Sequence, residues 1–351
     1  MIEPQAMSSS DTPDKMPETQ ERHHTENNHV SSFDHQVAGQ SLILRYDPTT
    51  ICKCLVHREY VFYQHMPDAL RPHVATFKGT TPVKISIGEA SQENGSLQHN
   101  TRGFKVDPSR YRALQKTDRI YNNEDEEIYQ FMKLEDLMYP YRQPCILDLK
   151  VGVRQHGDDA PQEKVDYQTQ KCLNTTSHSL GLRLCGMKRY LIREQTYEKK
   201  DKFYGRQIGD DELKNEIINF LHNGEEYRFD LVDPIISQLQ KLEAVIRTLE
   251  GYRFYSCSLV IIYDGEIENN AVGDSVDPNS MNNNVPEVPP QQTSNANSVN
   301  DLVKARIVDF AHATYDGFEK DSVRHIGPDH GFLLGLSTLL EVFNEFKKQS
   351  L

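Results

Sequence analysis

A short apolar segment that carries two opposite charges constrains the fold of this chain more than any other feature. Residues 144–152 read Pro-Cys-Ile-Leu-Asp-Leu-Lys-Val-Gly, and we predict that they form a buried β-strand. Because successive side chains of a strand point to opposite faces, Asp148 and Lys150 share one face. Two charges inside an apolar strand are costly unless they pair or take part in chemistry. A structural ion pair and a phosphate-transfer site at the strand end both remain open.

A second carboxylate ends another apolar segment. Residues 305–312 read ARIVDFAH, so Asp309 follows a predicted strand that begins near Val303. Magnesium is commonly held in proteins by one or two carboxylates together with substrate phosphates. We therefore predict that Asp309 is a metal ligand, and the alternative is a buried structural aspartate.

A lysine in the first predicted hairpin suggests nucleotide binding, although only weakly. The hairpin pairs residues 41–46 with residues 51–56, and Lys53 lies in its second strand, six residues before Glu59. In kinases, a strand lysine neutralises the nucleotide phosphates. Many strands expose a lysine, so this signal does not stand alone. Cys52 and Cys54 in the same strand fit two buried thiols better than a metal pair.

The charge is distributed unevenly along the chain. The formal net charge of the 351 residues is −13, which argues against a general nucleic-acid binder. Residues 150–206 nevertheless hold 12 lysines and arginines against 7 acids. Clustered cations concentrate an anion locally. This window is either a solvated basic face or the site of a highly phosphorylated ligand.

Composition also limits the class of protein. No apolar run approaches the ~20 residues that a membrane span requires, and residues 1–30 contain no apolar core of a secretion signal. The six cysteines are widely scattered, which fits reduced thiols better than a disulfide framework. We expect an intracellular protein, cytoplasmic or nuclear or both, without a membrane span.

Hydrophobic periodicity and turn residues predict the remaining elements. Residues 1–32 are predicted to be a disordered tail, 89–127 an irregular surface excursion and 266–302 a flexible acidic insertion. Helices are predicted at 57–66, at 211–222, from Asp233 to about Leu249, and at 332–347, and a strand pair at 253–263 and 303–311.

Several motifs, taken together in this order, resemble the inositol polyphosphate kinase family and its inositol hexakisphosphate kinase branch. Residues 144–152 match the family's P-x-x-x-D-x-K-x-G signature. Further matches lie at RQHGDD (154–159), LGLRLCGM (180–187), YGR (204–206), RFYSCSLV (253–260) and IVDFAH (307–312). The sequence departs from the family at Cys257, where serine is usual. A thiol is a weaker donor if that position helps to place the metal or Asp148.

The resemblance implies an α+β fold with two lobes, similar to protein kinases, with antiparallel sheets in both lobes and a helical inositide-binding segment. The N-terminal lobe with its hinge would span 33–137 and the C-terminal catalytic lobe 138–351. ATP would bind between the lobes with Mg²⁺. The expected reaction transfers the γ-phosphoryl group to inositol hexakisphosphate, and also to inositol pentakisphosphate, to form diphosphoinositol polyphosphates.

The resemblance also assigns roles to individual residues. Backbone groups of Glu135 and Leu137 would contact adenine, and Asp136 would accept hydrogen bonds from the ribose. Lys53 would hold the nucleotide phosphates and Asp309 the Mg²⁺. On the acceptor side, Asp148 would lie between nucleotide and acceptor, and Lys150 would bridge the γ-phosphate and an inositol phosphate. His312 would contact the substrate. The inositide pocket would be lined by Lys164, Gln168 and Lys171. The last three share a face if their segment is helical, because they are spaced i, i+4, i+7.

Two other functions remain open at this stage. One is a multikinase that phosphorylates ring hydroxyls of lower inositol phosphates, in which Asp148 would act as a base. The other is a non-catalytic module that binds inositol polyphosphates. In each case the partner is a small inositol polyphosphate, with no nucleic acid, and the sequence identifies no protein partner.

Overall fold

The computed structural model describes most of the chain outside the N-terminal region and two polar internal segments. The described residues are 30–33, 36–37, 41–87, 102–106, 114, 119–123, 126–266, 303–319, 321 and 323–350. Within these ranges, no helix is both long enough and apolar enough to cross a membrane.

The described part of the N-terminal lobe contains a sheet of seven strands and the helix that follows its third strand. The strand order is β1-β2-β3-β7-β4-β5, and β6 pairs with β7 off this path. The pairs are antiparallel except for β4 with β5, which run parallel. The elements are β1 (Ser31–Ser32), β2 (Ile43–Asp47), β3 (Thr50–Cys54), α1 (His57–Gln64), β4 (Phe77–Ile87), β5 (Arg102–Val106), β6 (Arg119–Asn123) and β7 (Glu126–Glu135).

The C-terminal lobe is built on a five-stranded antiparallel sheet in the order β10-β9-β8-β11-β12. The motif strand β8 is central, and Asp148 pairs with Gly186 on one side and Val260 on the other. The elements are β8 (Pro144–Val151), α2 (Gln162–Leu173), α3 (Ser177–Leu180), β9 (Leu182–Leu191), β10 (Thr196–Lys200), α4 (Asp210–Asn219), α5 (Val232–Thr248), β11 (Ser258–Asp264), β12 (Val303–Val308) and α6 (His330–Lys347).

The helices follow the apolar stripes seen in the sequence. In α5 the residues Ile235, Leu239, Leu242 and Ile246 are all fully buried, as their spacing predicts. Helix α6 begins after Asp329, whose side chain accepts a hydrogen bond from Phe332 N and caps the helix. Its inner face is almost entirely apolar, which anchors the helix to the sheet.

One apolar core extends through both lobes. Phe62 and Leu70 of the N-terminal lobe belong to the same buried cluster as Leu149 and Phe310 of the C-terminal lobe. The rings of Phe62 and Phe310 stack with their centroids 4.7 Å apart. The apolar contact between the lobes is therefore part of the main core, and a second, smaller cluster lies within the N-terminal sheet.

The structure corrects several predicted boundaries. The predicted excursion at 89–127 contains the strands β5 and β6, so it is not simply irregular. The strand predicted from Arg253 begins only at Ser258, because Tyr255 and Ser256 form a turn. Residues 1–29 of the predicted tail and 267–302 of the predicted insertion lie outside the described residues. Ser31–Ser32, which the predicted tail includes, pair with β2 instead.

Candidate active site

A buried ion cluster joins the two lobes. Lys53 Nζ, on β3, donates to Glu59 Oε1 at 2.9 Å and to Asp309 Oδ1 at 2.6 Å. Burial alone would lower the pKa of Lys53, but the carboxylates of Asp309 and Glu59 outweigh it and raise that pKa. Lys53 is therefore a permanent cation, held between the N-terminal sheet and the end of β12.

Asp309 has a strained backbone at the position that the sequence singled out. Its φ angle is +69°, in the left-handed region that residues other than glycine seldom adopt. The next residue is tied down, because Phe310 N donates to Glu59 Oε1 at 3.1 Å. Burial would raise the pKa of the Asp309 carboxyl, but Lys53 and Lys150 lower it further than burial raises it. Asp309 thus presents an ionised carboxylate, and its side chain is 39% exposed.

Asp148 faces the same region from the central strand β8. Burial, with the nearby charge of Asp309, raises the pKa of Asp148 to about 6, although Lys150 opposes the shift. Its Oδ1 atom is buried and has no hydrogen-bond partner among the described residues. An unsatisfied buried carboxylate oxygen is costly, so this atom is suited to binding a ligand. Lys150 Nζ donates to Ser256 O at 2.6 Å, which holds its ammonium beside both aspartates.

A basic cluster lies next to this acidic pair, and α2 supplies much of it. Lys164, Gln168 and Lys171 are half-buried on one face of the helix, as their spacing predicts. Lys164 Nζ lies 3.3 Å from His312 Nε2. Burial, followed by the charge of Lys164, lowers the pKa of His312 to about 4, so the imidazole is neutral and accepts from Lys164.

Two arginines complete the basic cluster. Burial, then Arg183 and then Arg206, lowers the pKa of Lys171 to about 8. Arg183 donates to Gln155 Oε1 at 2.8 Å, so a neutral amide rather than a carboxylate fixes it. Arg206 Nε and Gln168 Oε1 are buried without a hydrogen-bond partner in the described part of the chain. Within the described part of the chain, no carboxylate forms a salt bridge with Lys164, Lys171, Arg183 or Arg206, so the cluster there carries net positive charge.

The predicted hinge segment lies between β7 and β8, and Asp136 has two hydrogen-bond partners within the protein. The side chain of Asp136 is only 1% exposed and accepts from Arg45 at 2.9 Å. Its other oxygen accepts from Met138 N at 2.9 Å. These two bonds let the carboxylate stabilise the hinge from inside, and its contact with a ribose stays a prediction. Glu135 N donates to Thr76 O, whereas no hydrogen bond of Leu137 N is found within the described residues.

The acidic residues fit a divalent metal only together with a phosphorylated ligand. Among the described residues, no group of three or more His, Cys, Asp or Glu side chains could hold a metal ion. Asp309 is ionised and partly exposed, and Asp148 offers a buried oxygen without a partner. Oxygen ligands of this kind suit Mg²⁺, which takes its other ligands from substrate phosphates and water.

Sequence reasoning missed or undervalued three residues of this site. Glu59 was noted only for its spacing from Lys53, yet it bonds both Lys53 and the backbone of Phe310. Arg183 and Arg206 were counted in the basic window but not selected. Their signal was present, because both lie in motifs that matched the family, at 180–187 and 204–206.

Comparisons with known proteins agree with this geometry. The family model described as "Inositol polyphosphate kinase" matches residues 131–344. Inositol hexakisphosphate kinase 1 of Rattus norvegicus is 30% identical over 411 aligned residues, which cover 92% of this chain and 94% of that protein. Inositol hexakisphosphate kinase 3 of Mus musculus is also 30% identical, over 91% of this chain and 95% of its own length.

A solved structure supports the fold. The inositol phosphate multikinase of S. cerevisiae, crystallised with ADP and Mn²⁺, superposes with a TM-score of 0.56 at 22% identity. The match covers 85% of this chain and 99% of that one, which confirms the predicted two-lobed α+β architecture. With the family model matching more than half of its length, the chain belongs to the inositol polyphosphate kinase family.

Proposed function

We propose that this chain is an ATP-dependent kinase that transfers the γ-phosphoryl group to inositol hexakisphosphate, and also to inositol pentakisphosphate. The products would be diphosphoinositol polyphosphates. The observation that carries the proposal is the unbalanced basic cluster of Lys164, Lys171, Arg183 and Arg206 beside the carboxylates of Asp148 and Asp309. Relatives that share 30% identity over more than nine tenths of the chain are named inositol hexakisphosphate kinases.

The lowered pKa of Lys171 supports a polyanionic acceptor in particular. An ammonium whose pKa falls to about 8 is repelled by neighbouring cations and poorly solvated in the free protein. A ligand with several phosphates would replace the missing solvation and neutralise the cluster, so binding energy is available for such a ligand. A neutral or singly charged acceptor would leave most of this repulsion in place.

The nucleotide would lie between β3 and the end of β12. Lys53 would neutralise its phosphates, and Glu59 fixes the position of that ammonium. Asp309 and Asp148 would hold Mg²⁺, which when bound supplies charge neutralisation for the transferred group. Leu137 N would donate to the adenine at the hinge, and we assign Asp136 to the hinge itself because its carboxylate is already occupied.

The acceptor determines whether a base is required. The phosphate oxygens of a fully phosphorylated ring are ionised near neutral pH, so no proton has to be removed. Catalysis then depends on alignment and on charge neutralisation by Lys53 and Lys150. Lys150 is held beside both aspartates by the carbonyl of Ser256, which suits a cation that contacts the transferred phosphoryl group.

One observation favours a second candidate, phosphorylation of a ring hydroxyl. The pKa of Asp148, raised to about 6, suits a general base that works near neutral pH. A multikinase acting on lower inositol phosphates would use Asp148 in this way. The two functions differ in the acceptor that they require.

Incubation with radiolabelled ATP, Mg²⁺ and inositol hexakisphosphate distinguishes these functions. A fully phosphorylated ring has no free hydroxyl, so any labelled inositide must contain a new diphosphate. We expect labelled products that elute after inositol hexakisphosphate on anion exchange, and none from the Asp309→Asn variant. Label transfer only to lower inositol phosphates would establish the multikinase function instead. Nucleotide binding without transfer to any inositide would point to a non-catalytic module.

The cellular location remains a prediction. We propose an intracellular protein, in the cytoplasm or nucleus, on the grounds of composition alone. Fluorescence microscopy of the tagged full-length chain tests this directly.

A further inference from the structure

Three consecutive residues in the first turn of α1, residues 57–59, bond to the segment that follows Asp309. His57 Nε2 lies 2.9 Å from Glu319 Oε1. Arg58 contacts Asp321, and Glu59 accepts from Phe310 N while it also holds Lys53. Helix α1, which places Glu59, is thus attached to the C-terminal lobe at Phe310, next to the proposed metal ligand, and further along the chain at Glu319 and Asp321.

The Arg58–Asp321 contact has the most hydrogen bonds of the three, and Arg58 NH2 also lies 3.5 Å from Asp159 Oδ2. Arg58 NH1 and NH2 donate to the two oxygens of Asp321 at 2.7 and 2.9 Å, a bidentate geometry. The Asp321 side chain is only 5% exposed, and Thr314 Oγ1 donates to it at 2.6 Å. The guanidinium also lies over the ring of Phe318, 4.5 Å from its centroid. Hydrogen bonding to Arg58 lowers the pKa of Asp321, so the pair stays ionised.

Helix α1 needs such an attachment because it is weak by itself. It has 8 residues, and its N-cap residue, Val56, provides no side-chain hydrogen bond. Isolated helices of this length are marginal in water, so tertiary contacts must order the first turn. Phe62, in the second turn of the helix, is held by its stacking on Phe310. The bidentate pair of Arg58 with Asp321 holds the first turn, where the cap is missing.

We propose that Arg58 and Asp321 form a positioning pair, which orients α1 so that Glu59 reaches both Lys53 and the backbone after Asp309. This inference rests on the proposed kinase activity. Neither residue is assigned a contact with substrate: Arg58 acts through Glu59, its neighbour in the helix. The pair therefore controls how the enzyme handles nucleotide phosphates rather than how it binds the inositide.

The test compares four purified full-length variants with wild type, namely two single changes, their combination and a control, using ATP, Mg²⁺ and inositol hexakisphosphate. Arg58→Lys keeps the positive charge but loses the bidentate hydrogen bonds of the guanidinium. Asp321→Asn keeps the shape of the side chain but loses its negative charge. Both should raise the KM for ATP about tenfold and lower kcat, with the KM for inositol hexakisphosphate unchanged within about twofold. The matched control is Gln64→Ala, at the end of the same helix, whose side chain is exposed. It should behave like wild type.

Combining Arg58→Lys with Asp321→Asn should be no worse than the more damaging single change, because both remove the same interaction. Thermal unfolding of each variant measures the folded fraction, and a loss of folded enzyme lowers the apparent kcat without changing either KM. The inference is overturned if the KM for ATP stays at the wild-type value, or if only the KM for the inositide rises. Absence of activity in wild type would instead refute the proposed function.

Discussion

The lowered pKa of Lys171 leads to a measurable pH dependence of inositide capture. Below about pH 8 the Lys171 ammonium is charged and attracts the phosphates, and above that pH the free protein loses this charge. Bound phosphates favour the charged form, so the effect belongs to the free enzyme. It should therefore be visible in kcat/KM for the inositide rather than in kcat.

The size of the effect follows from the titration. One pH unit above a pKa of about 8, only about one tenth of the free enzyme still carries the Lys171 charge. If only the charged form captures the polyanion efficiently, kcat/KM falls towards tenfold per pH unit on the alkaline side. Lys171→Arg keeps the charge at all accessible pH values, because arginine does not deprotonate in proteins.

The assay is the pH profile of kcat/KM for inositol hexakisphosphate between pH 6 and pH 10 at saturating ATP. We expect the alkaline fall in wild type and its loss in Lys171→Arg. The substrate phosphates titrate identically in both, so the difference between the profiles isolates the enzyme. Lys164→Arg, the same conservative change on the same helix face, is the control and should retain the fall. An alkaline fall that persists unchanged in Lys171→Arg would refute the reasoning.

Three other changes test the site and the fold. Glu59→Gln removes one of the two carboxylates that hold Lys53. The KM for ATP should therefore rise about tenfold, and the unfolding free energy should fall by about 1–3 kcal/mol. An unchanged KM for ATP would show that Asp309 alone orients the lysine. Asp309→Asn keeps a side chain that tolerates the left-handed φ but removes the second carboxylate that holds Lys53, so the unfolding free energy should fall by about 1–3 kcal/mol. We also expect a loss of kcat of about 100-fold or more in the folded enzyme, and activity close to wild type would remove Asp309 from the metal site. Gly205→Ala places a Cβ 2.1 Å from a backbone carbonyl oxygen and should cost about 3 kcal/mol in chemical unfolding. Gly209→Ala, with no atom within 4 Å of the added Cβ, should cost at most about 1 kcal/mol, and equal losses in the two variants would contradict the packing argument.

Short-range periodicity predicted a large part of this molecule correctly. The period of two places Asp148 and Lys150 on one face of β8, and the helical period places Lys164 and Lys171 on the inner face of α2. These predictions succeeded because the geometry depends only on residues that are close in sequence. The apolar stripe of α5 was predicted correctly for the same reason.

What depends on distant residues could not be predicted from the pattern. Asp136 stands in the hinge motif, but its partner Arg45 lies 91 residues earlier, and only the fold shows that the carboxylate is already used. The pairing of Arg58 with Asp321 spans 263 residues. The edge strands β5 and β6 were missed because their sequences, RGFKV and RIYNN, lack the apolar alternation that marks a half-buried strand.

The apolar core shared by the two lobes limits the motions that the protein can use. If the lobes moved far apart, the Phe62–Phe310 stack would separate and apolar surface would be exposed to water. This exposure costs a free energy of about 25 cal/mol for each Å² of apolar surface. A large opening and closing motion of the two lobes around a substrate would therefore be energetically unfavourable for this chain. We therefore expect the two lobes to keep nearly the same relative position when substrates bind, so that selectivity depends on the residues that already line the site.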